Sequence, residues 1–139
     1  MSWLQWSLLS ALFAAITAVL AKVGVSGVDA NFATAIRTSV IVVFTWALAF
    51  AVPSESSKLP VSGRTWLFLA LSGVATGLSW LCYFHALQLG PASRVAPVDK
   101  LSVVFVIGLA AVFLDEPLTT AKVIGGSLIA IGAVVLAVE

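Results

Sequence analysis

Charged residues divide this chain into five long apolar runs, and the lengths of these runs constrain its fold more than any other feature. A helix needs about 20 residues to cross a hydrocarbon layer about 30 Å thick. With 61% hydrophobic and 9% charged residues, the chain holds more apolar side chain than a soluble domain of 139 residues can bury. The solvent of this chain is therefore a lipid bilayer. The predicted spans are residues 3–21, 33–52, 64–88, 92–114 and 121–138.

All five spans are expected to be helical. Backbone amides in lipid must be hydrogen-bonded within the protein, and five strands cannot close a barrel. The first run has no basic leading segment and no soluble domain follows it, so it is expected to be retained rather than cleaved. The polar stretch 54–63 is expected to be a solvated loop. The sequence thus predicts an all-α membrane protein, with residues 1–139 forming a single domain built as a bundle of five transmembrane helices.

Two of the spans reach membrane length only if they include charged residues. The charge-free part of the second span, residues 38–52, covers about 22 Å, so Arg37 must lie within the span or at its rim. The charge-free part of the fourth span, residues 101–114, covers about 21 Å, so this span must include Asp99 and Lys100. An ionisable side chain at membrane depth indicates a functional site with a partner to be found.

Polar residues from three spans are expected to meet on one side of the membrane. Successive crossings alternate, so the start of the second span, the end of the third and the start of the fourth face the same side. Asp99 is expected to pair with Arg37 or Lys100, and an aromatic side chain such as Tyr83 would stack on a ligand. The polar residues of this set are Arg37, His85, Gln88, Arg94, Asp99 and Lys100.

Structural interpretations of the same residues remain open. Asp99 would cap a helix that begins at Pro97, while Arg37 and Lys100 would extend along their helices toward the lipid headgroups. A lone histidine such as His85 is more often a hydrogen-bonded structural residue than a proton carrier. The aromatic residues near it are equally suited to the lipid or to the core.

Several functional classes are not expected. The chain has one histidine and one cysteine, and it contains no HExxH, P-loop or GxSxG motif. We therefore expect neither catalysis nor a metal ion or cofactor. With a net charge of +1 and no basic run, nucleic acid is not an expected partner.

The charges hardly favour either orientation in the membrane. One side would carry Lys58, Arg64 and Lys122, and the other side would carry Lys22, Arg37, Arg94 and Lys100. The positive-inside signal nearly cancels, and such a weak bias permits insertion in both orientations. Five helices also offer too little wall to enclose a path, so the sequence predicts a dimer, for which an antiparallel arrangement is one option.

The second half of the chain carries a family pattern. Residues 83–138 contain an aromatic residue before Ala86 and Leu87, a small-residue entry with proline to the fourth span, and an acidic turn. The turn is followed by Leu118 and Thr119 and then by a glycine-rich last helix. This segment resembles the last three spans of an EamA domain of the drug/metabolite transporter superfamily. Arg37 early in the second span and the five spans overall extend the resemblance to essentially the whole chain.

The resemblance implies a solute transporter, commonly an exporter of metabolites or amino acids in a bacterial inner membrane. Many members carry two such repeats in opposite orientation, so this chain would be one half of a ten-helix inverted-repeat transporter, paired with itself or with a related half. Many members also have a proline inside span four, where this chain reads DKLS at residues 99–102. Unlike the four-span small multidrug exporters, it has no acid in its first span.

Together, these inferences predict a half-size secondary transporter that moves a small-molecule solute by alternating access. Arg37 or Lys100 would offer positive charge to an anionic group, and Asp99 would serve as counter-ion or proton acceptor. His85 and Tyr83 complete the expected substrate pathway. The alternatives are a non-transporting membrane subunit and a flippase-like carrier of lipid-linked groups.

Overall fold

In the computed structural model, which describes residues 2–52 and 61–138, every regular element is a helix. Five helical segments are long and apolar enough to cross a membrane, as the sequence predicts. The fourth of these segments, Ala92–Phe113, consists of two consecutive helices, α4 and α5. The helices are α1 (Trp3–Gly24), α2 (Ala30–Ala51), α3 (Gly63–Leu89), α4 (Ala92–Asp99), α5 (Ser102–Phe113) and α6 (Thr120–Val138).

The predicted boundaries agree with the helices to within about three residues at each end. The largest differences are at the end of α1, which continues to Gly24, and at the start of α2, which begins at Ala30 rather than residue 33. The earlier start of α2 has a local cause, because the Asp29 carboxylate accepts a hydrogen bond from the Phe32 amide at 3.0 Å. Such a cap satisfies an amide of the first turn that has no partner within the helix. Most of the loop predicted at 54–63 lies in residues 53–60, outside the described residues.

The apolar side chains of the spans point outward. In the most apolar 18-residue stretch of each span, at most 11% of the residues are buried within the protein. The few buried apolar residues are mostly small, such as Ala18, Ala30, Ala110 and Ala133. A soluble domain would turn its large apolar side chains inward. This surface therefore matches lipid.

The chain divides into two compact units. Unit 1 comprises Met1–Lys22 with Leu89–Glu139, and unit 2 comprises Val23–Gln88. Within unit 1, both α4 and α5 pack against α6. The approach is close at Gly126, which is buried, because a methyl group added there would lie 3.4 Å from the Ile107 Cδ1 atom. Glycine at this position allows the two helices to pack closely.

Replacing Gly126 with leucine is expected to destabilise the protein by about 1–3 kcal/mol, because the larger side chain would force α5 and α6 apart. Gly125→Leu is the matched control, since nothing lies within 4 Å of a Cβ atom at Gly125 among the described residues. Both substitutions gain the same helix propensity, so the difference between them isolates packing. Thermal unfolding in detergent measures it, and equal melting temperatures would contradict the expectation.

Candidate functional site

In unit 1, the fourth span is interrupted at a pair of opposite charges. Helix α4 ends at Asp99, and the amides of Lys100 and Leu101 donate to carbonyls three residues back, those of Pro97 and Val98, at 3.1 and 3.0 Å. The amide of Val103 likewise bonds the Lys100 carbonyl at 3.0 Å. This tighter hydrogen-bonding pattern separates α4 from α5. A short stretch of such bonding inside a longer helix often marks a hinge.

The Asp99 and Lys100 side chains form an ion pair at this joint. Lys100 Nζ lies 3.3 Å from Asp99 Oδ2, and the two side chains are 37% and 56% exposed for Asp99 and Lys100, respectively. Lys100 is eight residues after the start of the span at Ala92, which corresponds to about 12 Å along the helix axis. The ion pair therefore lies well inside a membrane-spanning segment, where both charges need shielding from lipid.

Within unit 1, the ion-pair partner of Asp99 is Lys100, one of the two partners expected from the sequence. The capping interpretation is wrong: the helix begins at Ala92, Pro97 lies inside it, and Asp99 is its last residue rather than its cap. Adjacent side chains on a continuous helix diverge by about 100°. Because α4 ends at Asp99, the chain turn lets Lys100 reach back to its neighbour.

In unit 2, Arg37 contacts aromatic residues. Its guanidinium carbon lies 4.2 Å from the centre of the Trp80 ring and 5.6 Å from that of Phe84, both on α3. Arg37 is half-buried and lies seven residues, or about 10 Å, inside α2. Tyr83, also half-buried, is close enough to interact electrostatically with it. Trp80 and Phe84 are four residues apart and so share one face of α3.

The remaining polar residues near the end of α3 bond to backbone carbonyls. His85 Nδ1 lies 3.0 Å from the Leu81 carbonyl oxygen, on its own helix, and the ring is exposed. This contact agrees with the structural interpretation of His85, in which the side chain is hydrogen-bonded and does not carry protons. Gln88 Nε2 donates to the Val28 carbonyl at 2.6 Å and so ties the end of α3 to the turn before α2.

Two further contacts of unit 1 have no strong signal in the sequence. Lys22 Nζ donates to the Gly90 carbonyl at 2.8 Å, which joins the end of α1 to the turn before α4. The acidic turn after α5 is exposed, and Glu116 Oε2 lies 2.9 Å from Lys122 Nζ. The sequence does not identify Gly90 as the partner of Lys22, because the two residues are 68 positions apart.

Metal coordination has no basis in the part of the chain that the structure describes. Among residues 2–52 and 61–138, no group of three or more histidine, cysteine, aspartate or glutamate side chains is placed to hold an ion. The site residues are instead an arginine on aromatic rings and an acid–base pair at a helix break.

Five apolar spans with charged groups inside them define an integral, multi-pass membrane protein. The sequence matches the model of the EamA-like transporter family over residues 1–138, and the chain belongs to this family. It is 54% identical over 137 residues to a Sinorhizobium protein described as an uncharacterised transporter in the cobO 3' region, covering 99% of this chain and 97% of that protein. No solved structure matches the chain.

Proposed function

We propose that this chain is a half-size secondary transporter that exports small metabolites or amino acids by alternating access. The family and the Sinorhizobium relative support transport. The observation that carries the mechanism is the break in the fourth span at the Asp99–Lys100 ion pair. Transporters place solute and ion sites where a membrane-spanning helix is interrupted.

The substrate pathway in this proposal includes Arg37, Tyr83, His85, Asp99 and Lys100. Arg37 and Lys100 supply positive charge for the solute, and Asp99 is the counter-ion or the proton acceptor. None of these roles requires a covalent step, a metal ion or a cofactor. The chain therefore acts as a carrier and not as an enzyme.

The functional unit in this proposal is a dimer, either of two copies in opposite orientation or of this chain with a related half. Its membrane is the inner membrane of a bacterium. A second copy would cover polar groups that otherwise face lipid, and five helices offer too little wall to enclose a path. The even distribution of positive charge supports insertion in both orientations.

Purified protein in liposomes is expected to take up a labelled solute with no other protein present. Radiolabelled amino acids and 2-hydroxy acids are suitable first probes, and empty liposomes are the control. Uptake by this chain alone would exclude a non-transporting subunit. A requirement for a related half-size EamA protein would support the mixed dimer, whereas a requirement for an unrelated membrane protein would support that subunit. Competition by a lipid headgroup analogue would favour a flippase-like carrier.

A further inference from the structure

Arg37 is a cation inside a membrane span that has an aromatic partner and, among the described residues of its own unit, no acidic one. No carboxylate lies within ion-pairing distance of Arg37 among the described residues of unit 2. Asp29, the acid of this unit in the described residues, is eight positions earlier on the chain and caps α2 through the Phe32 amide. A charged side chain at this depth is costly unless a counter-charge accompanies it.

The aromatic contacts satisfy only one part of the guanidinium group. The face of the Trp80 ring, whose centre lies 4.2 Å from the guanidinium carbon of Arg37, attracts the positive charge. The five N–H donors of arginine lie in the guanidinium plane and point outward from its edge. An aromatic ring offers no pair of acceptor oxygens, so contact with Trp80 leaves these donors able to bind a planar acceptor.

The hydroxyl groups next to Arg37 on α2 are engaged with the backbone of their own helix. Thr34 donates to the Ala30 carbonyl and Thr38 donates to the Thr34 carbonyl, both at 2.8 Å. These bonds hold the two side chains against the helix. Both hydroxyls are neutral and α2 contains no aspartate or glutamate, so a counter-charge for Arg37 comes from outside α2.

The charge and the planar geometry of a single guanidinium group favour some anions over others. The other arginine in the described part of unit 2, Arg64, is 16 residues before Trp80 on α3, which is about 24 Å along that helix. One guanidinium neutralises one negative charge and matches the two oxygens of a carboxylate with two parallel hydrogen bonds. A phosphate dianion would leave a net negative charge at membrane depth.

We propose that Arg37 binds the carboxylate of the transported solute and that Trp80 is a positioning residue that aims its donor edge. This inference rests on the proposed function, because it assigns the recognised group of the solute to a specific side chain. Arg37 in this role is not interchangeable with lysine, because an ammonium cannot form the paired, planar hydrogen bonds.

Chemical protection tests the binding site without requiring transport. Phenylglyoxal modifies arginine, and mass spectrometry of the digested protein reports the modified fraction at Arg37 and at Arg64 separately. Alanine, leucine and lactate are compared with alaninamide, leucinamide and lactamide in phosphatidylcholine liposomes. At least one carboxylate is expected to slow modification of Arg37 severalfold, its amide is expected to have no such effect, and Arg64 is the internal control. Equal protection by acid and amide would overturn the proposal.

Uptake of the protecting compound then tests the role of Arg37 in transport. Arg37→Lys and Arg37→Gln are each expected to reduce uptake at least about tenfold, the range for losing a charge-assisted hydrogen bond. Trp80→Phe retains a stacking ring and is expected to keep most of the activity. Trp80→Leu is expected to raise the half-saturating concentration and to weaken protection of Arg37. Unchanged uptake in Arg37→Lys would overturn the proposal, since a simple positive charge would then suffice.

The outcomes separate this inference from the transporter proposal. Uptake of uncharged solutes, with Arg37 unprotected and Arg37→Lys fully active, would overturn the carboxylate site and leave transport intact. Protection of Arg37 without uptake of any carboxylate would support the binding site and count against transport. Protection by phosphatidylserine liposomes in the absence of solute would assign the anion to a lipid headgroup and overturn the solute assignment.

Discussion

Asp99→Asn is expected to reduce solute flux at least about tenfold while the protein still inserts and folds. The substitution keeps the size of the side chain and removes the charge that faces Lys100 at 3.3 Å. An ionic hydrogen bond contributes about 1.5–3 kcal/mol, and each 1.4 kcal/mol is a factor of ten. In the proposed mechanism, the same change removes the counter-ion or proton acceptor of the pathway. Flux into proteoliposomes, normalised to the amount of reconstituted protein, measures the effect.

A second variant distinguishes a structural ion pair from a pathway residue. Asp99→Asn leaves Lys100 as an unpaired cation, whereas Asp99→Asn combined with Lys100→Gln leaves two neutral groups. If the pair only stabilises the joint, the double variant is expected to regain most of the flux, because one unpaired charge at membrane depth costs more than two neutral groups. If Asp99 acts in the pathway, the double variant stays inactive. Recovery in the double variant would therefore exclude Asp99 from the mechanism.

The ion pair between Glu116 and Lys122 provides a control for general effects of charge removal. It is shorter than the Asp99–Lys100 pair, at 2.9 Å, and it lies in the turn between α5 and α6. Exposed pairs contribute about 0–1 kcal/mol. Glu116→Gln is expected to change flux less than about twofold, and a large loss there would indicate that any lost charge impairs the protein.

The five spans could be predicted because lipid limits the choice of structure so strongly. The length of each charge-poor run and the requirement for internal hydrogen bonds are enough to place the helices. The same arithmetic predicts Asp99 and Lys100 inside the fourth span, and the fourth segment long and apolar enough to cross a membrane, Ala92–Phe113, includes both residues. The earlier start of α2 depends on the Asp29 cap, which the sequence contains as an aspartate before an apolar run.

The break in the fourth span could not be predicted from composition. The sequence predicts residues 92–114 as one continuous span, and Pro97 suggests a helix start rather than an interior position. What separates α4 from α5 is the choice of carbonyl partner by the Lys100 and Leu101 amides. These amides bond carbonyls three residues back instead of four. The pattern of apolar side chains is compatible with either spacing, so it does not distinguish them.

The partner of Arg37 shows a different limit of the sequence. Its place at membrane depth follows from the length of the second span, but its contact with Trp80 depends on how α2 and α3 are rotated about their axes. Apolar residues surround α3 on all sides, so its sequence does not define which face meets α2. The sequence shows Trp80 and Phe84 as aromatic residues just before His85, but it does not identify them as the residues that contact Arg37.

Variants forced into a single orientation are expected to be inactive alone and active together, because the proposed dimer needs both orientations. Val23→Arg with Gly24→Arg adds positive charge beside Lys22, on the side of the membrane that the count of crossings assigns to the first turn. Val61→Arg with Leu118→Arg adds the same charge to the opposite side. All four positions are exposed, and each pair biases orientation through the positive-inside rule. Flux is expected to fall to background in either variant and to recover when both are expressed in the same cell.

Cysteine labelling verifies that the added charges act through orientation. A single cysteine at Ser26, in a Cys82→Ala background, is labelled in intact cells by a membrane-impermeant maleimide. The chain without added charge is expected to show partial labelling from the outside, and the two charged variants are expected to show nearly none and nearly all. Full activity of one variant by itself, with uniform labelling, would contradict the antiparallel dimer and favour a parallel pair. Because the two variants carry the same charges on different sides, only an inverted partner explains recovery on mixing.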